Sequence, residues 1–234
     1  MQTKTISILA SAFLVLVILP GVTWQARAQS EKSPYPAMAP VDQYLMPDKS
    51  SEIALARTAA PPSISGDAEV MVLTRDGFTT AVKGSNGFMC LVERAWGAST
   101  DFPEFWNPKV RSPICFNPAA ARSFAPIFLM KTKLVLAGKS KAEILEATRS
   151  ALDSKELPAL EPGALAYMLS KQQYLNDGAK NWHPHVMFYV SGDAQKSSGG
   201  NLPGSPVIAA SDPEERVTIL MVLARQWSDG TPAP

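Results

Sequence analysis

The sequence has 234 residues with 22 basic and 21 acidic side chains, a formal net charge of +1. Nucleic-acid binders present a cationic face that displaces counterions from phosphates, and this balance supplies no such excess, so nucleic acid is excluded as a partner. The length suits one domain with a sizeable core, and 20 prolines favour long ordered loops over long helices.

The N-terminus carries Lys4, then an apolar run from Ile6 to Leu19, then Ala26-Arg27-Ala28 ahead of Gln29. This is the pattern of a cleavable secretory signal over residues 1–28. The run is about fourteen residues, shorter than the roughly 20 needed to span a bilayer, and Pro20-Gly21 ends it. The expectation is export to the periplasm or beyond, with no stable membrane anchor after signal cleavage. Removing 1–28 takes Lys4 and Arg27 and no acid, so the mature chain stays near neutral. Its two cysteines, Cys90 and Cys115, then enter an oxidising compartment, where a pair is expected to bridge.

Residues 29–47 hold Pro34, Pro36, Pro40 and Pro47 and few large aliphatics, and are expected to form a flexible lead. A single domain is expected over 48–232. It opens with a short helix from Asp48 to Thr58, capped by Asp48 or Ser50 and stopped by Pro61-Pro62. Three strands follow at Glu69 to Thr74, Phe78 to Lys83 and Phe88 to Arg94, joined through Asp76-Gly77 and Asn86-Gly87, which predicts a three-stranded antiparallel meander. Trp96 to Pro113 reads as an aromatic loop packed on the body, pinned by the Cys90–Cys115 bridge.

Asn117-Pro118 reads as a cap and first-turn proline, opening a helical stretch that Pro126 interrupts and Gly138 closes. Ser140 and Glu143 form a capping box for an amphipathic helix running to about Asp153. Ala164 to Leu169, Val186 to Val190 and Val217 to Ala224 read as strands, the last as a central strand covered on both faces, while Ser191 to Pro206 reads as a surface loop. The predicted class is α+β, with a mostly antiparallel sheet, the N-terminal meander and two or three helices in one domain.

Two groups of residues could bear function. His183 and His185, the only histidines, flank Pro184 beside Trp182; on an extended segment both imidazoles could reach one divalent metal, with Asp177, Asp193 or Glu161 completing the shell. The other reading of the pair is local hydrogen bonding at a strand entrance. Trp96, Trp106, Trp182 and Trp227 fall in or beside loops, where they either line a groove for a ligand or anchor the loops. Trp106, Trp182, His183 and His185 are therefore the candidate ligand-binding residues. Glu214, Glu215 and Asp212 read as solvated turn charges. Cys115 paired with His183 would be a nucleophile only if unbridged, and no serine elbow, phosphate-cradling loop or two-cysteine metal motif is present. The leading functional expectation is a non-catalytic exported domain that binds a small molecule or a protein partner without a cofactor. The alternative is a metal-dependent hydrolase using His183 and His185.

At Gly84 to Arg94, Phe105 to Pro108, Ile114 to Pro118, Leu169 to Tyr174, Trp182 to His185 and Trp227 to Thr231, the chain resembles a family of uncharacterised exported bacterial proteins. The resemblance would span about Glu52 to Pro232. It implies an exported protein and assigns no residue a role.

Overall fold

The computed structural model describes residues 33–234, so the expected signal peptide and the first residues of the lead lie outside the described part of the chain. Helix α1 spans Lys49–Arg57 and is followed by the single turn α2, Pro62–Ser65. Strands β1, Glu69–Thr74, β2, Gly77–Val82, β3, Met89–Glu93, and β4, Ser112–Phe116, come next. The helices α3, Pro118–Ser123, α4, Ala125–Leu136, and α5, Lys141–Asp153, then form a block. The chain closes with β5, Leu165–Met168, β6, His185–Ser191, β7, Val207–Asp212, and β8, Val217–Leu223. The eight strands make one open sheet in the order β2-β1-β3-β4-β5-β6-β8-β7.

The class is α+β and sheet-dominated, but the N-terminal meander is not formed, and five α-helices replace the expected two or three. The Asp76-Gly77 turn does make a hairpin, with Thr74 opposite Gly77. The second turn fails because its polar groups are spent on a distant segment. Instead of forming a tight hairpin, Asn86 bonds the carbonyl of Ile64 through its amide nitrogen and the Phe88 amide through its oxygen, and the Ser85 and Asn86 amides bond the Asp67 carbonyl. The chain therefore crosses the start of β1, and β3 pairs parallel to β1 on the side away from β2, Glu69 facing Met89 and Val70 facing Cys90. Gly84 permits the crossing, since a Cβ there would lie 2.1 Å from the Glu69 nitrogen. The remaining neighbours pair antiparallel.

Two strands were not anticipated. β4 contains Pro113, tolerated because β5 pairs only with Cys115 and Phe116, leaving the proline with one neighbouring strand. β7 is the short edge strand beyond the Ser191–Pro206 loop. Strand β8 is accordingly second from the edge, and only Val217 and Thr218 in it are fully buried.

Helices cover both faces of the sheet's first half. Leu55 and Ala56 of α1, with Ala59 and Ala60, pack on Val70, Val92 and the bridged pair Cys90 and Cys115, which sit directly opposite each other on β3 and β4. Closing that loop stabilises the fold by about 3 kcal/mol in the chain-entropy picture. On the other face α3, α4 and α5 bury Ile127, Phe128, Val135 and Ile144 against Leu91, Ile114, Phe116 and Ala166. The caps follow the sequence: Asp48 accepts from the Ser51 amide, Asn117 from the Ala120 amide, and Ser140 and Glu143 form the reciprocal box. Pro126 sits in the first turn of α4, where its missing donor costs nothing; the break falls two residues earlier, at Phe124.

Of the proline-rich lead, residues 33–47 are described, and they lie against the body. The Tyr44 ring is fully buried, its hydroxyl donating to the Trp106 carbonyl at 2.7 Å and accepting from the Ala39 amide, while the Tyr35 hydroxyl donates to Asp177 at 2.6 Å.

Candidate functional site

The residues singled out in the sequence do not gather in one place. Trp96 and Trp106 belong to the main core, Trp96 donating from Nε1 to Thr132 and Trp106 meeting Phe105 edge to face. Trp182 instead stands at the entrance of β6, its ring centroid 4.8 Å from that of His185 and 6.1 Å from that of His183, edge-on to both. His185 is buried at 3 % exposure, with Nδ1 2.8 Å from the His183 carbonyl oxygen, and burial holds its pKa below the usual imidazole value. The carboxylates that might have joined the imidazoles are engaged elsewhere. Asp177 accepts from Tyr35, Tyr174 and Lys109, Glu161 from Arg122, and Asp193 from Ser211. No group of three or more His, Cys, Asp or Glu side chains is placed to hold a metal ion among the described residues. Cys115 is bridged to Cys90 and has no thiolate to pair with His183.

A different site is built where the helix block stops short of the sheet's second half. A cleft of about 400 Å³ lies over Ser112 and Ile114 of β4, Met168 of β5, Met187 and Tyr189 of β6, and Ile219 of β8. These side chains share one face because directly paired residues on neighbouring strands point the same way, as Tyr189 and Ile219 do. The segment Gly97 to Phe102, which follows β3, forms the opposite wall, and Phe124, stacked on Tyr189 with ring centroids 3.9 Å apart, closes one end. A second hollow of about 440 Å³ lies beyond Phe124, and Glu215 borders both.

The cleft is largely apolar; its charged lining residues are Glu93, Arg94, Asp212 and Glu215, and Ser99, Ser112, Asn176 and Ser211 add neutral polar groups. Glu93 ends β3, next to Arg94. Consecutive strand residues face opposite sides, so Arg94 turns to α1, pairing with Glu52 at 3.0 Å, while Glu93 turns to the cleft. No described residue hydrogen-bonds the Glu93 carboxyl. It lies against the backbone of Gly97, where a Cβ would come within 3.2 Å of both its carboxyl carbon and Oε2. Burial pushes its pKa up to about 8, repulsion from Glu215 adds to this, and attraction from Lys131 partly offsets it.

Lys131, on the buried side of α4, donates from Nζ to Glu215 Oε1 at 3.0 Å and to the Ala98 carbonyl at 2.8 Å. Glu215 sits in the β7–β8 turn, where Asp212 accepts from the Glu214 and Glu215 amides. Glu214 in turn accepts from the Thr100 amide and hydroxyl. The turn charges read as solvated are thus the clamp that ties the last hairpin to the wall of the cleft. Burial holds the Glu215 carboxyl above its usual pKa against the pull of Lys131, and raises the Tyr189 phenol as well.

Sequence reasoning passed over Glu93 and Lys131 and read Glu215 as a solvated turn charge, whereas it is buried and paired with Lys131. A signal existed for two of them: Glu93 closes the apolar run Met89 to Val92, and Lys131 interrupts the apolar sequence Ile127 to Leu136. An isolated charge inside a buried segment needs a partner or a purpose.

No protein-family model, curated protein or solved structure matches this chain. Among the described residues no helix is long and apolar enough to cross a membrane.

Proposed function

We propose that this chain is an exported binding domain whose cleft between the Gly97–Phe102 segment and the face of β4, β5, β6 and β8 takes up a small, mainly apolar molecule. The observation that carries the reading is the Glu93 carboxyl, which is turned into the apolar cleft without a hydrogen-bond partner among the described residues. Glu93 is half-buried, so its carboxyl is open to whatever fills the cleft, water or a polar group of a ligand. A cleft of 300–1,000 Å³ with apolar walls and a few convergent polar groups is the usual form of a small-molecule site, and this one falls in that range. The secretory pattern at the N-terminus and the Cys90–Cys115 bridge support the exported location, periplasmic or extracellular.

The test is a thermal-shift screen of a fragment collection against the mature protein and against Ala210→Trp. Ala210 is an exposed residue of β7 on the rim of the cleft, so the indole fills the space without disturbing the core. Compounds that raise the Tm of the wild type and lose this effect in Ala210→Trp locate binding in the cleft. If no compound stabilises the wild type, or if every stabiliser works equally well on the plugged variant, the cleft is not the binding site.

A further inference from the structure

The polar end of the cleft has an imbalance that specifies what should enter it. Three carboxyl groups, on Glu93, Asp212 and Glu215, border the space. One cation from the protein serves them, Lys131, and its Nζ is spent on Glu215 and the Ala98 carbonyl. Arg94 also lines the cleft, but its guanidinium is committed to Glu52, the Tyr44 carbonyl and the Val92 carbonyl. Opposite Glu93 on β4 stands Ser112, which is uncharged. The groups that face Glu93 are therefore Glu215 from the β7–β8 turn, Lys131 from α4 and the Tyr189 phenol from β6, with Asp212 at the rim. None of them supplies a free positive charge. The remaining walls include Phe102, Phe124 and Tyr189, aromatic side chains that bring no positive charge.

We propose that the ligand is an organic cation, a protonated primary or secondary amine on an apolar body, which places its ammonium group on the Glu93 carboxylate. This rests on the cleft being the binding site. A half-buried carboxyl in a largely apolar cleft, with Glu215 repelling its charge, holds its proton until a cation arrives to share the space. The binding step is then an exchange. The O–H bond of the Glu93 carboxylic acid breaks, its proton passes to the buffer, and the carboxylate left behind pairs with the ammonium group of the incoming amine, whose own N–H bonds stay intact. A neutral compound of the same shape would accept a hydrogen bond from the carboxylic acid and release nothing. An anion would meet Glu215 and Asp212 and be rejected.

Isothermal titration with 2-phenylethylamine and n-hexylamine, beside the matched alcohols 2-phenylethanol and n-hexanol and the anion hexanoate, decides the matter. Each is titrated at pH 7 in phosphate and in Tris, whose ionisation enthalpies differ, so that proton release appears as a difference in observed heat. The amines should bind about tenfold or more tightly than their alcohols, with about one proton released per amine and affinity rising with pH below about 8. Glu93→Gln keeps the shape of the protonated acid, and it should lose both the preference for amines and the proton release while still binding the alcohols.

The inference is overturned if alcohols match amines, if amines bind without releasing a proton, or if Glu93→Gln retains the amine preference. In each of these results, binding that Ala210→Trp abolishes would leave the cleft reading standing. If the amines at millimolar concentration give no heat that Ala210→Trp removes, the inference fails; if, in addition, no fragment of the screen acts through the cleft, both readings fall together.

Discussion

Lys131 and Glu215, 84 residues apart in the chain, meet at 3.0 Å with both side chains almost wholly enclosed, and the lysine reaches onward to the Ala98 carbonyl. One ammonium group thus fastens the last hairpin and the wall of the cleft to helix α4.

Such a pair contributes little relative to a well-packed apolar substitute, but breaking it from one side is expensive. Lys131→Met should therefore lower stability by about 3–5 kcal/mol in urea unfolding, because Glu215 is left without its partner. Lys131→Met combined with Glu215→Leu should recover most of that loss. Equal damage from the single and double replacements would mean that the pair is not coupled.

Glu93 makes stability depend on pH in a defined direction. Its folded pKa, about 8, lies above the ordinary glutamate value of 4.5, so between these values the folded state binds more protons than the unfolded chain. The contribution is complete below 4.5 and is lost as pH rises through about 8. Melting in the wild type should accordingly fall as pH is raised from 5 to 9, by an amount equivalent to about 2–4 kcal/mol, and Glu93→Gln should flatten this limb. Glu215, also raised, acts in the same sense and is untouched by that replacement. A variant whose melting profile superimposes on the wild type across this range would contradict the assignment.

The histidines give the opposite limb. Burial lowers the His185 pKa below 6.5, so its contribution is present above that value and disappears as pH falls through the lower folded value. His185→Gln should soften the loss of stability on acidification below about pH 6.5. Zinc, manganese and copper should leave the Tm of the wild type unchanged at micromolar concentration, since no group of three or more His, Cys, Asp or Glu side chains among the described residues is placed to hold a metal ion. A metal-dependent rise in Tm that requires both imidazoles would instead restore the metal-dependent hydrolase reading.

Much of the local structure is written in short-range chemistry. The capping box at Ser140 and Glu143, the Asp48 and Asn117 caps and the Asp76-Gly77 hairpin are decided by residues within four positions of one another, and all are legible. The bridge between Cys90 and Cys115 was reached from compartment and count. The order of strands was not legible, because it turns on Asn86 spending its side chain on Ile64 and Phe88 instead of on a tight turn, a choice made by segments 22 residues apart. Burial of Tyr44 was hidden likewise: its hydroxyl partner is a backbone carbonyl at Trp106, which no side-chain pattern announces. The same limit applies to the cleft. Periodicity assigns Glu93 to one face of its strand, but which helix and which turn confront that face depends on sheet order. The tryptophans stand out as loop residues, yet Trp96 and Trp106 are core anchors, and the charges at the cleft come from the end of an apolar strand, Glu93, and from the β7–β8 turn, Asp212 and Glu215.

The contact between Thr100 and Glu214 joins segments 114 positions apart. A ribosome must therefore deliver nearly the entire chain before the two halves of the cleft can face each other. Until then the strand bearing Glu93 would stand unroofed by its distal neighbours, its carboxyl open to water and titrating as an ordinary acid. Any capacity to hold a guest would thus arrive only with the final hairpin, and a C-terminally clipped polypeptide would be unable to load.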